Sequence, residues 1–430
     1  MALTGRTGLL AAVGALVVWV LGSRTAVAVI DGVLALAVVV DLMMAGSVRG
    51  LRLERAGARS VRLGETAELT LTVANPGPRP VRGLVRDAWP PSAGAHQSRQ
   101  AVHLAANGTA TLRVTLTPTR RGDRRPDRVT VRSIGPLGLA GRQGTQRAAW
   151  SVRVLPAFPS RRHLPARVDR IRILDGRNAA RIRGAGTEFD SLREYVIGDD
   201  VRSIDWRASA RRSEVTVRSW RPERDRHVLV VLDTGRTSAG RVGDAPRLDA
   251  AMDAAMLLAA LATTAGDQVD LLCWDRSVRA VVRGVPAARV LGALSEAMAG
   301  VEPALLETDM RGLVGEVARL AGPNTLLVLL TSLDEAPVVD GLLPVLGPLR
   351  ARRRMVVASV ADPRVAQLAA GRGDAAAVYA AAAAARTSLR RARAAALLTG
   401  RGVEVIDAGP AELAPALADT YLALKAAGRL

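Results

Sequence analysis

Acids and arginines alternate almost without a break in GTEFDSLREYVIGDDVRSIDWRASARRSEVTVRS, the stretch from Gly186 to Ser219. Glu188, Arg193, Glu194, Asp199, Asp200, Arg202, Asp205, Arg207, Arg211 and Arg212 stand close enough for bidentate arginine–carboxylate pairing. Gly198 supplies a tight turn before the paired aspartates. Such a segment could act as a catalytic site, a nucleic-acid clamp or a salt-bridged structural knot. Covalent catalysis needs a nucleophile beside a base, and no histidine or serine pair here supplies one. The structural reading follows: the charges tie a loop to a sheet, with Trp206 capping the network as a buried ring whose N–H is bonded. Removing Arg193 would then leave buried carboxylates unpaired.

Other reactive side chains are sparse. His96, His103, His163 and His227 lack ligand spacing and read as surface or strand-edge residues. The single cysteine, Cys273, lies in an apolar strand beside Trp274 and reads as a buried, inert thiol. It excludes an internal disulfide and a cysteine zinc site, and fits a reducing, cytosolic environment. No phosphate loop is present, and Gly184-Ala185-Gly186 is too weak to claim nucleotide binding.

The elements that must position these residues change grammar along the chain. From His227 onward, apolar strands such as HVLVVLD, QVDLLCWD, TLLVLLTS and MVVASVAD alternate with helices. Those helices are expected near Leu248–Ala265, Ala287–Ala299, Met310–Leu320, Leu342–Arg352 and Ala375–Leu398, with a last one ending at Leu424. Continuous apolar strands between helices predict a mostly parallel sheet covered on both faces. Ligands of such sheets sit beyond the carboxyl ends of the strands, which makes Asp233-Thr234-Gly235-Arg236-Thr237-Ser238 the first place to look for chemistry. Between Leu51 and Leu155 the pattern is period-2 strands separated by turns, the signature of an antiparallel sandwich. Arg121-Gly122-Asp123 reads as one of those turns.

Two apolar stretches open the chain, Leu9–Leu21 and Ala26–Met44, the second interrupted only by Asp31 and Asp41. Each approaches the roughly 20 residues that a bilayer-spanning helix needs. Arg49, Arg52, Arg55 and Arg59 follow the second stretch, whereas the connecting turn carries only Arg24, so the positive-inside rule places both ends in the cytoplasm. Asp31 is expected to pair with Arg24, and Asp41 to lie near the interface. The organisation is thus a transmembrane helical hairpin over 1–48, an immunoglobulin-like β-sandwich over 49–157, a connecting segment over 158–226 and an α/β domain over 227–430.

The chain has 430 residues, a formal charge of +20 and only 3% aromatics, so its cores must be built from aliphatic side chains. Lys425 is the only lysine. No basic run is interleaved with aromatics for base stacking, which argues against nucleic acid.

The signature segment is similar to that of the bacterial domain-of-unknown-function 58 family. Gly186, Glu188-Phe189, Leu192-Arg193-Glu194-Tyr195, Gly198-Asp199-Asp200, Arg202, Ile204-Asp205-Trp206 and Ala210-Arg211 match it in register. The resemblance extends to the apolar hairpin, to Arg121-Gly122 and Gly135-Pro136-Leu137-Gly138-Leu139 in the sandwich, and to Tyr421-Leu422. It implies a C-terminal von Willebrand factor A-like (Rossmann-type) domain, and partnership with MoxR-type AAA+ ATPases and other von Willebrand A-like membrane proteins in assembling or maturing protein complexes at the membrane. No enzymatic reaction is implied.

An intact von Willebrand A domain ends its first strand in D-x-S-x-S, adds a distant threonine and a later aspartate, and holds Mg²⁺ through oxygen ligands. Here Asp233 is kept, Gly235 replaces the first serine, Thr237 stands for the second and Thr308 fits the distant threonine. Leu333 stands where the later aspartate belongs, with Asp334 one residue late. A degenerate, metal-free crevice is therefore expected. The function adopted is a non-enzymatic, membrane-anchored scaffold. Two alternatives stay open: a hydrolase using Asp199, Asp200 or Asp205 as base, and a basic membrane-surface or nucleic-acid binder.

Overall fold

The computed structural model describes residues 2–181, 188–197, 199–212, 214–221 and 226–428. The chain divides into two compact units, Met1–Leu155 and Pro156–Leu430. It is multi-domain and rich in β-sheet.

The first unit begins with helices Gly5–Leu21 and Arg24–Met44, which pack on each other through Gly14 and Ile30. Both keep apolar side chains exposed around their circumference, among them Leu16, Trp19, Val29 and Leu36. Arg24–Met44 is long and apolar enough to cross a membrane; Gly5–Leu21 is shorter. Asp31 is exposed, and among the described residues no ion pair joins it to Arg24, contrary to the sequence reading. Asp41 is wholly buried and accepts the backbone N–H groups of Leu137, Leu139 and Ala140, each at 2.7 Å. Its charge is thus met by a nest of amides in a loop about a hundred residues away.

Strand alternation builds the rest of this unit. In Ala67–Ala74 every second residue is buried, because successive side chains point to opposite faces. A four-stranded sheet (Arg52–Gly57, Ala67–Ala74, Thr109–Leu116, Ala95–His96) shares a core with a five-stranded one (Ala2–Leu3, Ala140–Gln146, Val129–Ile134, Val81–Asp87, Arg99–Leu104). Leu71, Val73 and Leu112 from the first meet Val81, Val85, Val102, Leu104, Val129 and Val131 from the second. Arg121-Gly122-Asp123 is not a simple turn: Gly122–Arg124 is a strand paired with Val152–Leu155.

The second unit is organised by one six-stranded sheet, whose strands are labelled β1 (His227–Asp233), β2 (Gln268–Trp274), β3 (Val278–Val282), β4 (Leu326–Leu330), β5 (Arg354–Val360) and β6 (Glu404–Ala408). Its order is β3-β2-β1-β4-β5-β6, with only β3 antiparallel. Alternate residues of β1 enter opposite layers. Val228, Val230 and Leu232 pack with helices Arg247–Thr264, Ala287–Ala299 and Leu413–Ala426. Leu229 and Val231 pack with Met310–Leu320 and Ala375–Thr399. Burial on both faces is why the strand is apolar throughout. The helix expected over Leu342–Arg352 is instead broken into a wide turn at Pro337–Leu342, a tight turn at Leu343–Val345 and a short helix Leu346–Arg350. Pro344 and Pro348 lack the N–H groups that a continuous helix requires.

Candidate functional site

The signature segment folds as an antiparallel pair, Glu188–Glu194 with Thr216–Arg221, joined through a one-turn helix Val201–Ser203 and helix Trp206–Arg212. Gly198 lies outside the described residues, and Glu188 and Phe189 are placed only as members of the first strand. Arg193 grips Asp199 with both terminal nitrogens, at 2.7 and 2.5 Å, and Asp199 also accepts Val196 N–H. Asp205 accepts from Arg218 and from the backbone N–H groups of Arg207 and Ala208, so it caps the helix that follows. Asp200 caps the preceding turn through Arg202 N–H at 3.0 Å. Glu194, Arg202 and Arg211 are exposed and form no ion pair among the described residues; Tyr195 is held through its backbone N–H to Val215.

Among the described residues, the single buried network expected from the sequence is two separate ion pairs and a set of caps. The Arg193 side chain is 41% exposed, and Trp206, expected to be buried, is 67% exposed. Helix capping and turn formation use the carboxylates locally, so charge alternation here needs no interior. The hydrogen bond from Arg193 chiefly holds the Asp199 carboxyl below its usual range, and the Ala208 N–H, then Arg218, does so for Asp205. Carboxylates held down in this way are weaker proton acceptors than ordinary ones.

The carboxyl ends of β1, β2 and β4 converge on Asp233, which is 3% exposed. Thr308 and Thr331 each donate a hydroxyl to it at 2.5 Å, one to each oxygen, and Gly235 N–H donates at 2.8 Å. Burial pushes the Asp233 carboxyl up; these three bonds oppose that, and the nearby Asp275 charge adds to it. Thr237 makes no bond to Asp233, whereas Ser238 donates its hydroxyl to the Asp233 carbonyl at 2.5 Å. Leu333 is wholly buried in the apolar layer. Asp334 turns to Arg391 at 3.2 Å and Arg247 at 3.5 Å. Arg391 in turn holds Asp407 and Ser359.

This donor set does not suit Mg²⁺. Gly235 and Leu333 bring no side-chain oxygen to the crevice, and the later carboxylate, Asp334, is turned to Arg391 and Arg247. A side chain at 235 has no room: a Cβ there would overlap the Thr308 hydroxyl and lie 3.1 Å from both Asp233 Oδ1 and the Leu306 carbonyl.

Sequence reasoning missed Thr331 and Asp275. Asp275 is wholly buried at the end of β2, where it accepts from Arg279 Nε (2.5 Å), Thr234 (3.2 Å) and the N–H groups of Arg276 and Ser277. Burial alone would raise its pKa, but the bond from Arg279 and the two amides hold it low. Both residues follow apolar strands that neighbour β1, a position that could have flagged them. His227 bonds Asp270 at 3.0 Å and Thr325 at 3.2 Å at the opposite, amino-terminal ends of the strands.

A family model described as "Protein of unknown function DUF58" matches residues 191–395, which supports the family resemblance drawn from the signature segment. A second model, "Abnormal spindle-like microcephaly-assoc'd, ASPM-SPD-2-Hydin", matches residues 59–131. No curated protein matches. Among solved structures, the CARDB domain of the PF1109 protein from Pyrococcus furiosus is 20% identical, with 26% of this chain and 91% of that chain covered at a TM-score of 0.19. A GH20 exo β-N-acetylglucosaminidase from Vibrio harveyi is 10% identical over 74% of this chain and 79% of that chain, at a TM-score of 0.17. Scores this low carry no argument about fold or activity.

Proposed function

We propose that the protein is a non-enzymatic, membrane-anchored interaction module that works with a MoxR-type AAA+ ATPase in assembling or maturing protein complexes. The N-terminal helices serve as two spans, and both soluble parts lie on the cytoplasmic side, in keeping with the arginines after Met44. The C-terminal unit is a von Willebrand A-like domain; its strand order and the placing of Asp233 at the end of β1 support that reading. The observation that carries the proposal is that Leu333 lies in the apolar layer and Asp334 is turned to Arg391 and Arg247, so neither offers the crevice an oxygen for a cation beside Asp233. Partners are then held by metal-independent surfaces. A hydrolase reading is disfavoured because Asp199, Asp200 and Asp205 are each engaged as caps or ion pairs.

The test is capture of the tagged full chain from native membranes in mild detergent, with and without EDTA. Enrichment of an AAA+ ATPase that persists in EDTA is expected. Absence of any such ATPase, or its loss on chelation, would overturn the proposal.

A further inference from the structure

One face of the five-stranded sheet in the first unit carries arginines that form no ion pair among the described residues. Strands Val81–Asp87, Arg99–Leu104, Val129–Ile134 and Ala140–Gln146 bury alternate residues and turn the others outward. The outward set includes Arg82, Leu84, Arg86, Arg99, His103 and Arg132. No acid stands among the outward residues of these four strands. Arg132 is held by the neutral amide of Gln143, at 2.9 and 3.1 Å, and Arg82 donates to His103 at 3.3 Å, so neither bond cancels a charge. Arg86 stands directly opposite Arg99 in the register. Like charges so placed cost stability unless an anion lies between them.

The position of this face within its unit says which anion. Arg79 donates to the Met43 carbonyl at the end of helix Arg24–Met44, and Gly46 packs against Pro80 and Val81. The strand that carries Arg82 thus starts directly beneath the helix long enough to cross a membrane. At about 3.3 Å per residue, Arg86 lies about 13 Å further along the strand from Arg82, so the row of charges starts at headgroup level. The face has no aromatic residue on which bases could stack, which disfavours nucleic acid.

We infer that this arginine face, Arg82, Arg86, Arg99 and Arg132, binds anionic phospholipid headgroups of the bilayer that the helix enters. The inference rests on the membrane reading made above. Each arginine within reach of an anionic surface strengthens binding by about fivefold, an effect that falls off within a Debye length.

The experiment uses the full chain in neutral detergent, titrated with dioctanoyl phosphatidylglycerol or dioctanoyl phosphatidylcholine while thermal unfolding is followed. The midpoint of the wild type should rise with the anionic lipid only, and the rise should shrink in high salt. A variant with Arg82, Arg86, Arg99 and Arg132 changed to Gln should need more than tenfold more lipid for the same rise. A control with Arg311, Arg364, Arg386 and Arg393 changed to Gln should behave as the wild type. Equal loss in both variants, or an undiminished response in the first, overturns the inference. So does protection by polyglutamate without protection by the lipid, which would assign the face to an acidic protein. Alkaline carbonate extraction of native membranes separates the two claims: a chain that washes off defeats the membrane reading, while one that stays but ignores the lipid defeats only this inference.

Discussion

Gly235→Ser places a side chain where the Thr308 hydroxyl now sits, beside Asp233. The new Cβ would lie 3.1 Å from Asp233 Oδ1 and from the Leu306 carbonyl, and would overlap Thr308 Oγ1 outright. Overpacking a well-filled interior costs about 1–3 kcal/mol. Displacing Thr308 also removes a hydrogen bond to a carboxylate, which costs about 1.5–3 kcal/mol. Together these give about 4 kcal/mol, or a fall of about 10 °C in the unfolding midpoint for a unit of this size. Scanning calorimetry of the full chain in detergent reads it. Adding Thr308→Ala removes the colliding hydroxyl, so the double variant should be less destabilised than the two single changes summed, by about 1 kcal/mol or more. A wild-type midpoint for Gly235→Ser, or strict additivity, would show that the crevice is more open than described.

Arg193→Ala should leave the midpoint within the scatter of replicate scans, because the Arg193–Asp199 pair is exposed to solvent; a clear fall would mean that the signature segment is buried against a partner or another surface. Asp233 and Asp270 should give opposite pH responses. The Asp233 carboxyl is raised, so the unfolded chain ionises first and the contribution of Asp233 to stability falls as pH rises above about 4; Asp233→Asn should remove that slope. For Asp270, burial pushes upward but the bond from His227 and the Gly284 amide outweigh it, so its pKa is lowered. Its contribution is present above about pH 4 and lost as pH falls below it, and Asp270→Asn should flatten the acid limb of the stability curve. Lys425→Met should cost about 3–5 kcal/mol, since among the described residues it leaves the buried Asp267 carboxylate with Tyr421 as its side-chain partner. An unchanged midpoint would show that Lys425 is not needed to balance that charge.

The parts legible in the sequence are those fixed by local periodicity. HVLVVLD is apolar throughout because both its faces are covered, and Ala287–Ala299 and Met310–Leu320 form helices over the expected residues. The sandwich strands follow from alternation. What was not legible depends on contacts distant in the chain or on which way a side chain faces. The burial of Asp41 is decided by amides at 137–140, and no local pattern announces them. Trp206 is a residue type that usually finds an interior, yet here it begins an exposed helix. Asp233 could be located from its strand, but Thr331 became visible only once β4 was placed beside β1.

The metal-independent crevice is tested most directly by the thermal midpoint of the full chain in EDTA and in millimolar Mg²⁺, for the wild type and for Asp233→Ala. A cation bound at 100 times its dissociation constant would add about 2.7 kcal/mol, which calorimetry resolves easily. The expected result is the same midpoint for the wild type in both conditions, because Leu333 brings no oxygen to the crevice and Asp334 is turned to Arg391 and Arg247. A rise with Mg²⁺ that Asp233→Ala abolishes would contradict it and restore Asp233 as a metal-site residue.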